Sequence, residues 1–184
     1  MKLRRLTLCF AFAASVLAAS VASADVSLPK IFGTGMVLQR GLATPVWGWA
    51  EAGEEVTVQF GDQKKTATAD ANGAWSLKLD AQKENAKGQT LKVSGKNSID
   101  CEDVLIGDVW ICSGQSNMEW AVRNSVNPDE EMKAADYPNI RLFDVPGHTT
   151  SPVSKDKLPG GDWKKCAPDT VGNFSAVGYF FARR

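Results

Sequence analysis

The sequence predicts a multidomain β plus α/β protein: a β-rich, sandwich-like domain at residues 25–103, followed by the start of a three-layer α/β domain at residues 104–184. Three observations support this prediction. Polar and apolar residues alternate along short runs before residue 103, which is the period of half-buried strands. Residues 104–112 are mostly apolar, as in a strand buried on both faces of a parallel sheet. Helix-like segments follow, with one further strand-like run between them.

Residues 1–24 have the features of a signal peptide. Basic residues precede an apolar run at 6–19, and Ala22-Ser23-Ala24 fits the small-x-small rule for cleavage. The alternative, an uncleaved membrane anchor, is disfavoured because the run falls short of the roughly 20 residues that a span needs. We therefore expect an exported protein, periplasmic, extracellular or lumenal, that begins at Asp25 and has no membrane span after cleavage.

The first domain is predicted from short strands separated by turn residues. Gly61-Asp62 is a turn signal and Asn72-Gly73 a strong tight-turn dipeptide. Short strands at this spacing indicate a β-sandwich. The predicted strands cover residues 36–39, 45–49, 55–60, 65–69 and 75–79, and another begins at Leu91.

After residue 112 the pattern changes to helix, strand and loop, the opening of an α/β domain. We expect a helix to start within 118–123, a second helix at 128–135, a strand at 140–145, a long loop at 146–169 and a helix at 174–184. One or two parallel strands cannot bury both faces of a sheet. The chain is therefore expected to be a fragment of a longer protein.

Composition excludes some classes of partner. The 21 basic and 21 acidic residues balance, so charge gives no reason to expect nucleic acid or an anionic membrane as a partner. With the signal removed, Cys101, Cys112 and Cys166 remain. An odd number leaves at least one thiol free or paired outside this chain, and the pairing stays open; Cys112 can equally be a small buried hydrophobe. No cysteine spacing suggests a metal site.

Ser116 is the candidate nucleophile. It lies in a predicted turn between a buried strand and a helix, at the carboxyl end of a sheet, where α/β proteins build ligand sites. A helix N-terminus offers free N–H groups that stabilise an oxyanion, and Gly114 allows the backbone to turn. The alternative is that Ser116 only caps a helix, a common role for serine.

The block Val109-Trp110-Ile111-Cys112-Ser113-Gly114-Gln115-Ser116-Asn117-Met118 resembles the nucleophile block of the sialate O-acetylesterase family within the SGNH hydrolases. The resemblance covers nearly the whole mature chain and implies a β-rich domain joined to an SGNH α/β domain. Further matching blocks, in family order, are Gly35-Met36-Val37-Leu38-Gln39-Arg40, Pro45-Val46-Trp47-Gly48-Trp49, Gly73-Ala74-Trp75 and Phe174-Ser175-Ala176-Val177-Gly178-Tyr179-Phe180-Phe181-Ala182-Arg183.

The resemblance implies a carbohydrate O-acetylesterase that acts on an O-acetylated sugar or glycan without a metal or other cofactor. Ser116 would attack the acetyl carbonyl, a His oriented by an Asp would move the proton, and an acetyl-enzyme would form. The oxyanion would be held by the N–H of Ser116, a Gly N–H and an Asn side chain. The blocks that carry this Gly, Asn, Asp and His would lie beyond Arg184, so Ser116 alone is assigned and the fragment is expected to be inactive by itself.

Other residues are weaker candidates. His148, with Asp144, is an alternative base for Ser116, but its loop-like surroundings favour a solvated histidine. Asn117 follows the nucleophile and is not the oxyanion-hole asparagine of the family. The tryptophans at 47, 49 and 75 lie at strand positions, where aromatic residues more often fill a core than stack on sugars.

Two other functions remain open. One is an esterase of the same superfamily that acts on acetylated plant polysaccharide instead of sialic acid. The other is a glycan-binding module in which the β-rich half binds and the α/β part is inert. An Asp-x-x-His block beyond Arg184 would distinguish an enzyme from a module.

Signal cleavage gives the first prediction. The secreted protein should begin at Asp25, because Ala22-Ser23-Ala24 ends a short apolar run. N-terminal peptide mass spectrometry of secreted material measures this, and an intact Met1 segment would contradict it.

Overall fold

A computed structural model describes residues 25–145 and 160–184, so the predicted signal peptide and His148 lie outside the described residues. The fold is mostly β. The strands are β1 (Val37–Gln39), β2 (Thr44–Trp49), β3 (Glu55–Phe60), β4 (Gln63–Thr68), β5 (Ala74–Leu79), β6 (Asn85–Ser94), β7 (Ser98–Gly107), β8 (Tyr137–Phe143) and β9 (Trp163–Cys166). The helices are α1 (Pro128–Lys133) and α2 (Ala176–Ala182), with 3-10 turns at Ser116–Glu119, Val122–Asn124 and Val171–Asn173.

The strands before Gly107 form two sheets. A five-stranded sheet has the order β1-β7-β6-β3-β4, in which β1 pairs with β7 in parallel and the other neighbours are antiparallel. Strands β2 and β5 form a second, antiparallel sheet. The strands predicted before residue 95 are therefore confirmed, with end points shifted by one or two residues in several of them, except that the strand predicted to begin at Leu91 begins six residues earlier, at Asn85.

The predicted turn at Asn72-Gly73 is also present. Gly73 has φ of +79°, a conformation that glycine adopts without strain. The Asp70 carboxylate accepts hydrogen bonds from the N–H groups of Asn72 (2.8 Å) and Ala74 (2.9 Å). A side chain at Gly73 would lie 2.5 Å from the Ala50 carbonyl oxygen, so both conformation and space require glycine here.

One apolar core joins the two sheets. Val56, Val58 and Phe60 alternate along β3 with no exposed surface, and they share a cluster with Val46 and Trp75 of the second sheet. Alternation along each strand therefore places one face of each sheet in a common interior. The expectation that Trp75 serves as core is confirmed.

Strand β7 ends earlier than the sequence predicts. Residues 104–106 are buried, but pairing stops at Gly107, and residues 108–112 form no strand and are exposed. The side chain of Ile111 is 92% exposed and that of Trp110 is 66% exposed. The prediction of a buried strand across residues 104–112 is thus wrong for 108–112, because neither neighbour of β7, β1 or β6, continues past its end.

A second, smaller core lies after residue 120. It unites β8, β9, α1 and α2, and its fully buried members include Val122, Ala135, Val171 and Tyr179. The predicted second helix and final helix are confirmed by α1 and α2, and Ser175 caps α2 by accepting a hydrogen bond from the Gly178 N–H at 3.2 Å. In place of the helix predicted to start within 118–123, the structure has short 3-10 turns.

A long loop is predicted at residues 146–169, and strand β9 shows that this prediction is wrong for residues 163–166. Residues 146–159 are not described. β9 pairs antiparallel with β8, so the strand pair found in this region is not parallel. Trp163 explains the strand, since its ring packs on Phe143 at 5.1 Å and its Nε1 donates to the Ile31 carbonyl at 2.8 Å. β7 runs through residues 103 and 104, where the domain boundary is predicted, and the domain layout stays a prediction.

No helix in the described ranges is long and apolar enough to cross a membrane.

A bulge in β7 connects the two cores. Between the pairs Leu91↔Cys101 and Gln89↔Val104, β7 has one residue more than β6, and Asp103 takes a left-handed φ of +54°. Bulges of this kind redirect a side chain. The Asp103 carboxylate meets Arg141 of β8 at 2.9 Å and Lys165 of β9 at 3.0 Å.

The Arg141 guanidinium is fully engaged at this junction. Its side chain is 3% exposed. Besides Asp103, it donates to the carbonyl oxygens of Gly35 at 3.1 Å and Pro138 at 3.0 Å. A buried charge needs such partners, so the junction specifies how β8 lies against β1 and β7.

This junction predicts a pH-dependent effect of Asp103→Asn. We expect it to lower the free energy of unfolding by about 1–2 kcal/mol at neutral pH, because a charge-assisted hydrogen bond to Arg141 becomes a neutral one. Asn tolerates a left-handed φ, so the backbone is preserved. Hydrogen bonding by Arg141 holds the pKa of Asp103 below its ordinary value of 3.8. The carboxylate's contribution is therefore full above that value and is lost as the pH falls through the folded-state pKa.

Urea unfolding from about pH 7 to about pH 3 measures the difference between the wild type and Asp103→Asn, which should shrink below about pH 4. Asp100→Asn is the matched control, since its pair with Lys92 is half-exposed and 3.8 Å long and should contribute about 0–1 kcal/mol. Equal effects of the two substitutions at every pH would contradict the prediction.

Candidate functional site

A broad open cavity of about 2120 Å³ lies where the two cores meet. Its walls come from the ends of β1 and β7, the exposed segment 108–115, β8 and α2. Both apolar and polar side chains line it. The polar residues that line it include Gln39, Asp108, Ser116, Glu119, Asp144 and Ser175.

Ser116 lies at this cavity in an exposed position, as the first residue of the 3-10 turn Ser116–Glu119. The N-cap position belongs to Gln115, and no side chain caps the turn. The alternative role of Ser116 as a helix cap is therefore not what the structure has. Within residues 25–145 and 160–184, the Ser116 hydroxyl makes no hydrogen bond, so it is free to meet a substrate or a base.

Backbone donors accompany the hydroxyl. The Met118 N–H donates to the Gln115 carbonyl at 2.8 Å, whereas the N–H groups of Ser116 and Asn117 donate to no other described residue. Unpaired N–H groups beside a nucleophile can receive a developing oxyanion. Gly114 has ordinary φ, and a side chain there would make only normal contact with Met118 at 3.5 Å, so the turn itself does not require glycine.

The carboxyl side of Ser116 rests on the start of α2. The Ala176 N–H donates to the Trp120 carbonyl at 2.7 Å, and the Val122 N–H donates to the Phe174 carbonyl at 3.0 Å. The Ser175 hydroxyl also donates to the sulfur of Met118 at 3.3 Å. The contact between Ser175 and Met118 joins two blocks of the sequence that carry the family resemblance, residues 109–118 and 174–183.

The other predicted residues are placed as follows. Asp144 is exposed after β8 and lines the same cavity, while its suggested partner His148 lies outside the described residues. Asn117 is exposed. Trp47 is half-buried, packs edge-on against Phe32 at 4.8 Å and lines the cavity.

The three cysteines differ in environment and form no disulfide. Cys101 and Cys166 are buried, and burial raises the pKa of both thiols. Cys112 is exposed, so its interpretation as a small buried hydrophobe is wrong. No group of three or more His, Cys, Asp or Glu side chains is arranged to hold a metal in the part of the chain that the structure describes.

Sequence reasoning missed the residues that hold the segment before Ser116. Gln39 and Arg40 at the end of β1 contact Asp108 and Val109 through their side chains. Both belong to the block Gly35-Met36-Val37-Leu38-Gln39-Arg40, which matches the family without indicating a contact. Their spacing in the chain, about 70 residues from the segment they contact, carries no local signal.

Comparison with known proteins gives consistent relatives. No protein-family model matches the chain. It is 34% identical over 168 residues to the sialate O-acetylesterase of Rattus norvegicus, covering 80% of this chain and 31% of the rat protein. The human sialate O-acetylesterase is 30% identical over 171 residues, with 80% and 32% covered. These matches confirm the resemblance to the sialate O-acetylesterase family.

A solved structure is similar as well. The crystal structure of a carbohydrate acetylesterase from Xanthomonas citri matches with a TM-score of 0.80 at 37% identity, over 86% of this chain and 36% of that one. The chain thus spans about a third of the length of the relatives it matches.

The exposure of the segment before Ser116 predicts selective thiol chemistry. In the native chain, iodoacetamide should modify Cys112 at least about tenfold faster than Cys101 or Cys166, because the buried thiols are inaccessible and less ionised. Peptide mass spectrometry after short labelling measures the three rates separately. In urea the rates should converge; similar rates in the native chain would show that residues 108–112 are covered or that the cores are open.

Proposed function

We propose that this relative of the sialate O-acetylesterases carries the nucleophile of a carbohydrate O-acetylesterase, a serine ester hydrolase that removes acetyl groups from sugars. The observation that carries the proposal is Ser116. Its hydroxyl and N–H are both free of described partners at an open cavity, within the sequence block that resembles the nucleophile block of this family. The printed names of the relatives supply the reaction class.

In the proposed reaction, Ser116 Oγ attacks the carbonyl carbon of the acetyl ester and gives its proton to a histidine base. The carbonyl oxygen becomes an oxyanion, which the Ser116 N–H stabilises. Collapse of this intermediate breaks the ester bond, and the sugar oxygen takes the proton as it leaves. Water then attacks the acetyl-Ser116 ester by the same route, releasing acetate and restoring the serine.

The base is proposed to come from polypeptide after residue 184, together with its Asp partner and the Gly and Asn oxyanion donors. Two facts support this. The chain has a single histidine, His148, in a stretch whose sequence is loop-like, and about two thirds of each relative has no counterpart in this chain. The exposed apolar residues Val109, Trp110 and Ile111 are suited to a strand completed by further parallel strands of an SGNH α/β domain.

The proposed layout keeps residues 25–103 as the β-rich domain and residues 104–184 as the start of the α/β domain. We also propose that residues 1–24 export the protein, which places the esterase where glycans outside the cytoplasm are its substrates. Sialic acid esters and acetylated plant polysaccharide share the acetyl ester that Ser116 would attack, so both belong in the assay.

The test uses the full-length protein, meaning this chain with any polypeptide that its gene encodes after residue 184. It should hydrolyse a chromogenic acetyl ester, and Ser116→Ala should lower kcat/KM by about 10⁴-fold or more, the loss typical of a missing nucleophile. His148→Ala should change it less than about twofold, since His148 is not the proposed base. The 184-residue chain alone should have almost no activity, because an isolated serine keeps its proton and is a poor nucleophile.

The outcomes separate the candidate functions. Acetate release from O-acetylated sialic acid but not from acetylated xylan, or the reverse, assigns the substrate. Glycan binding without hydrolysis by the full-length protein would indicate a binding module and contradict the proposal. Full activity in the short chain that is abolished by His148→Ala would make His148 the base.

A further inference from the structure

The backbone of the segment that leads to Ser116 is hydrogen-bonded to other elements at two places only, within the described residues. Its far end is joined to the start of α2 through Trp120 and Val122. Between residues 110 and 117 the backbone makes no hydrogen bond to another described element, and Trp110 contacts α2 through its ring alone, edge-on to Phe181 at 5.1 Å. The hydrogen bonds at its near end therefore contribute directly to where Ser116 lies.

Gln39 and Arg40 hold that near end. The parallel pairing of β1 with β7 stops at Gln39↔Gly107, and the Arg40 N–H donates to the Gly107 carbonyl at 2.8 Å. The Val109 N–H then donates to Gln39 Oε1 at 2.8 Å. The Gln39 side chain thus replaces the backbone acceptor that a longer β1 would provide, and it extends the ladder by one bond.

Arg40 fixes Asp108, the residue between Gly107 and Val109. Its Nε donates to Asp108 Oδ1 and its Nη2 to Asp108 Oδ2, each at 2.9 Å. Its Nη1 contacts Glu84 on the loop before β6. A two-pronged guanidinium–carboxylate pair specifies orientation as well as distance. These hydrogen bonds hold the pKa of Asp108 below its ordinary value, so the pair persists at neutral pH.

The pair is poorly placed to serve stability. The side chains of Arg40 and Asp108 are 44% and 45% exposed, and solvent at such exposure weakens the attraction even of a two-pronged ion pair. Orientation is what this geometry provides. We propose that Gln39 and Arg40 are positioning residues, which fix residues 108 and 109 and through them the place of the nucleophile Ser116.

The inference rests on the proposed role of Ser116, and its test separates the two. In the full-length protein, Arg40→Ala and Gln39→Ala should each lower kcat for an acetyl ester by about tenfold or more, since small displacements of reacting groups are costly. KM should stay within about twofold. Arg40→Lys keeps the positive charge but loses the two-pronged guanidinium, so its kcat should lie between those of the wild type and Arg40→Ala.

Two further readouts distinguish positioning from a structural defect. Peptides covering residues 108–115 should exchange amide hydrogen roughly five- to tenfold faster in both variants, the factor expected for one lost hydrogen bond. The change in Tm should match that of Lys92→Ala, a control that removes a similarly exposed ion pair on β6. A much larger fall in Tm would make the role structural and overturn the proposal.

Failure of the proposed function has a separate signature. A wild-type protein without esterase activity, or an active Ser116→Ala variant, would reject that function. The exchange over residues 108–115 then decides alone whether the two side chains fix the segment. Unchanged exchange in both variants, or an unchanged kcat in an active enzyme, would overturn the positioning role.

Discussion

The buried guanidinium of Arg141 is the contact on which the arrangement of this chain depends. It brings together a carboxylate from the bulge in β7, a carbonyl from the residue before Met36 and a carbonyl from its own strand. A positive charge removed from water is costly unless such groups surround it, so β8 has one favourable position against the five-stranded sheet. The second core packs on β8 through Leu142, so its position depends on that of β8. The open cavity lies between the two cores.

The same arrangement places Ser116 between two supports of different kinds. On one side the start of α2 provides backbone hydrogen bonds and an apolar cluster that includes the fully buried Tyr179. On the other side the support comes from the polar side chains of Gln39 and Arg40. Ser116 is therefore held by secondary structure on one side and by specific hydrogen bonds on the other, while its own hydroxyl remains accessible.

Much of the fold is readable from local pattern, and the exceptions have physical causes. Alternation predicts β3 and β5 because each strand packs one face on a shared core. The continuous apolar run at 104–112 predicts a buried strand, and this prediction fails at residues 108–112 because no described neighbour covers them. The local pattern does not predict strand β9, because Trp163 stabilises it through residues that are distant in sequence, Phe143 and Ile31. The role proposed for Ser116 comes from its motif, whereas the contacts of Gln39 and Arg40 span about 70 residues of sequence and carry no local signal.

The bulge at Asp103 also limits how this chain can vary. One residue added to or removed from β7 near this position would exchange the two faces of the strand and move the carboxylate away from Arg141. The opposite strand is equally constrained, since a side chain at Gly88 would lie 2.3 Å from the Asp103 carboxylate. Insertions and deletions should therefore accumulate in the hairpin loops of the β-rich part and be absent from the stretch where β6 pairs with β7 around Gly88 and Asp103. Length variation among homologous sequences at these positions would then mark which of them share the junction.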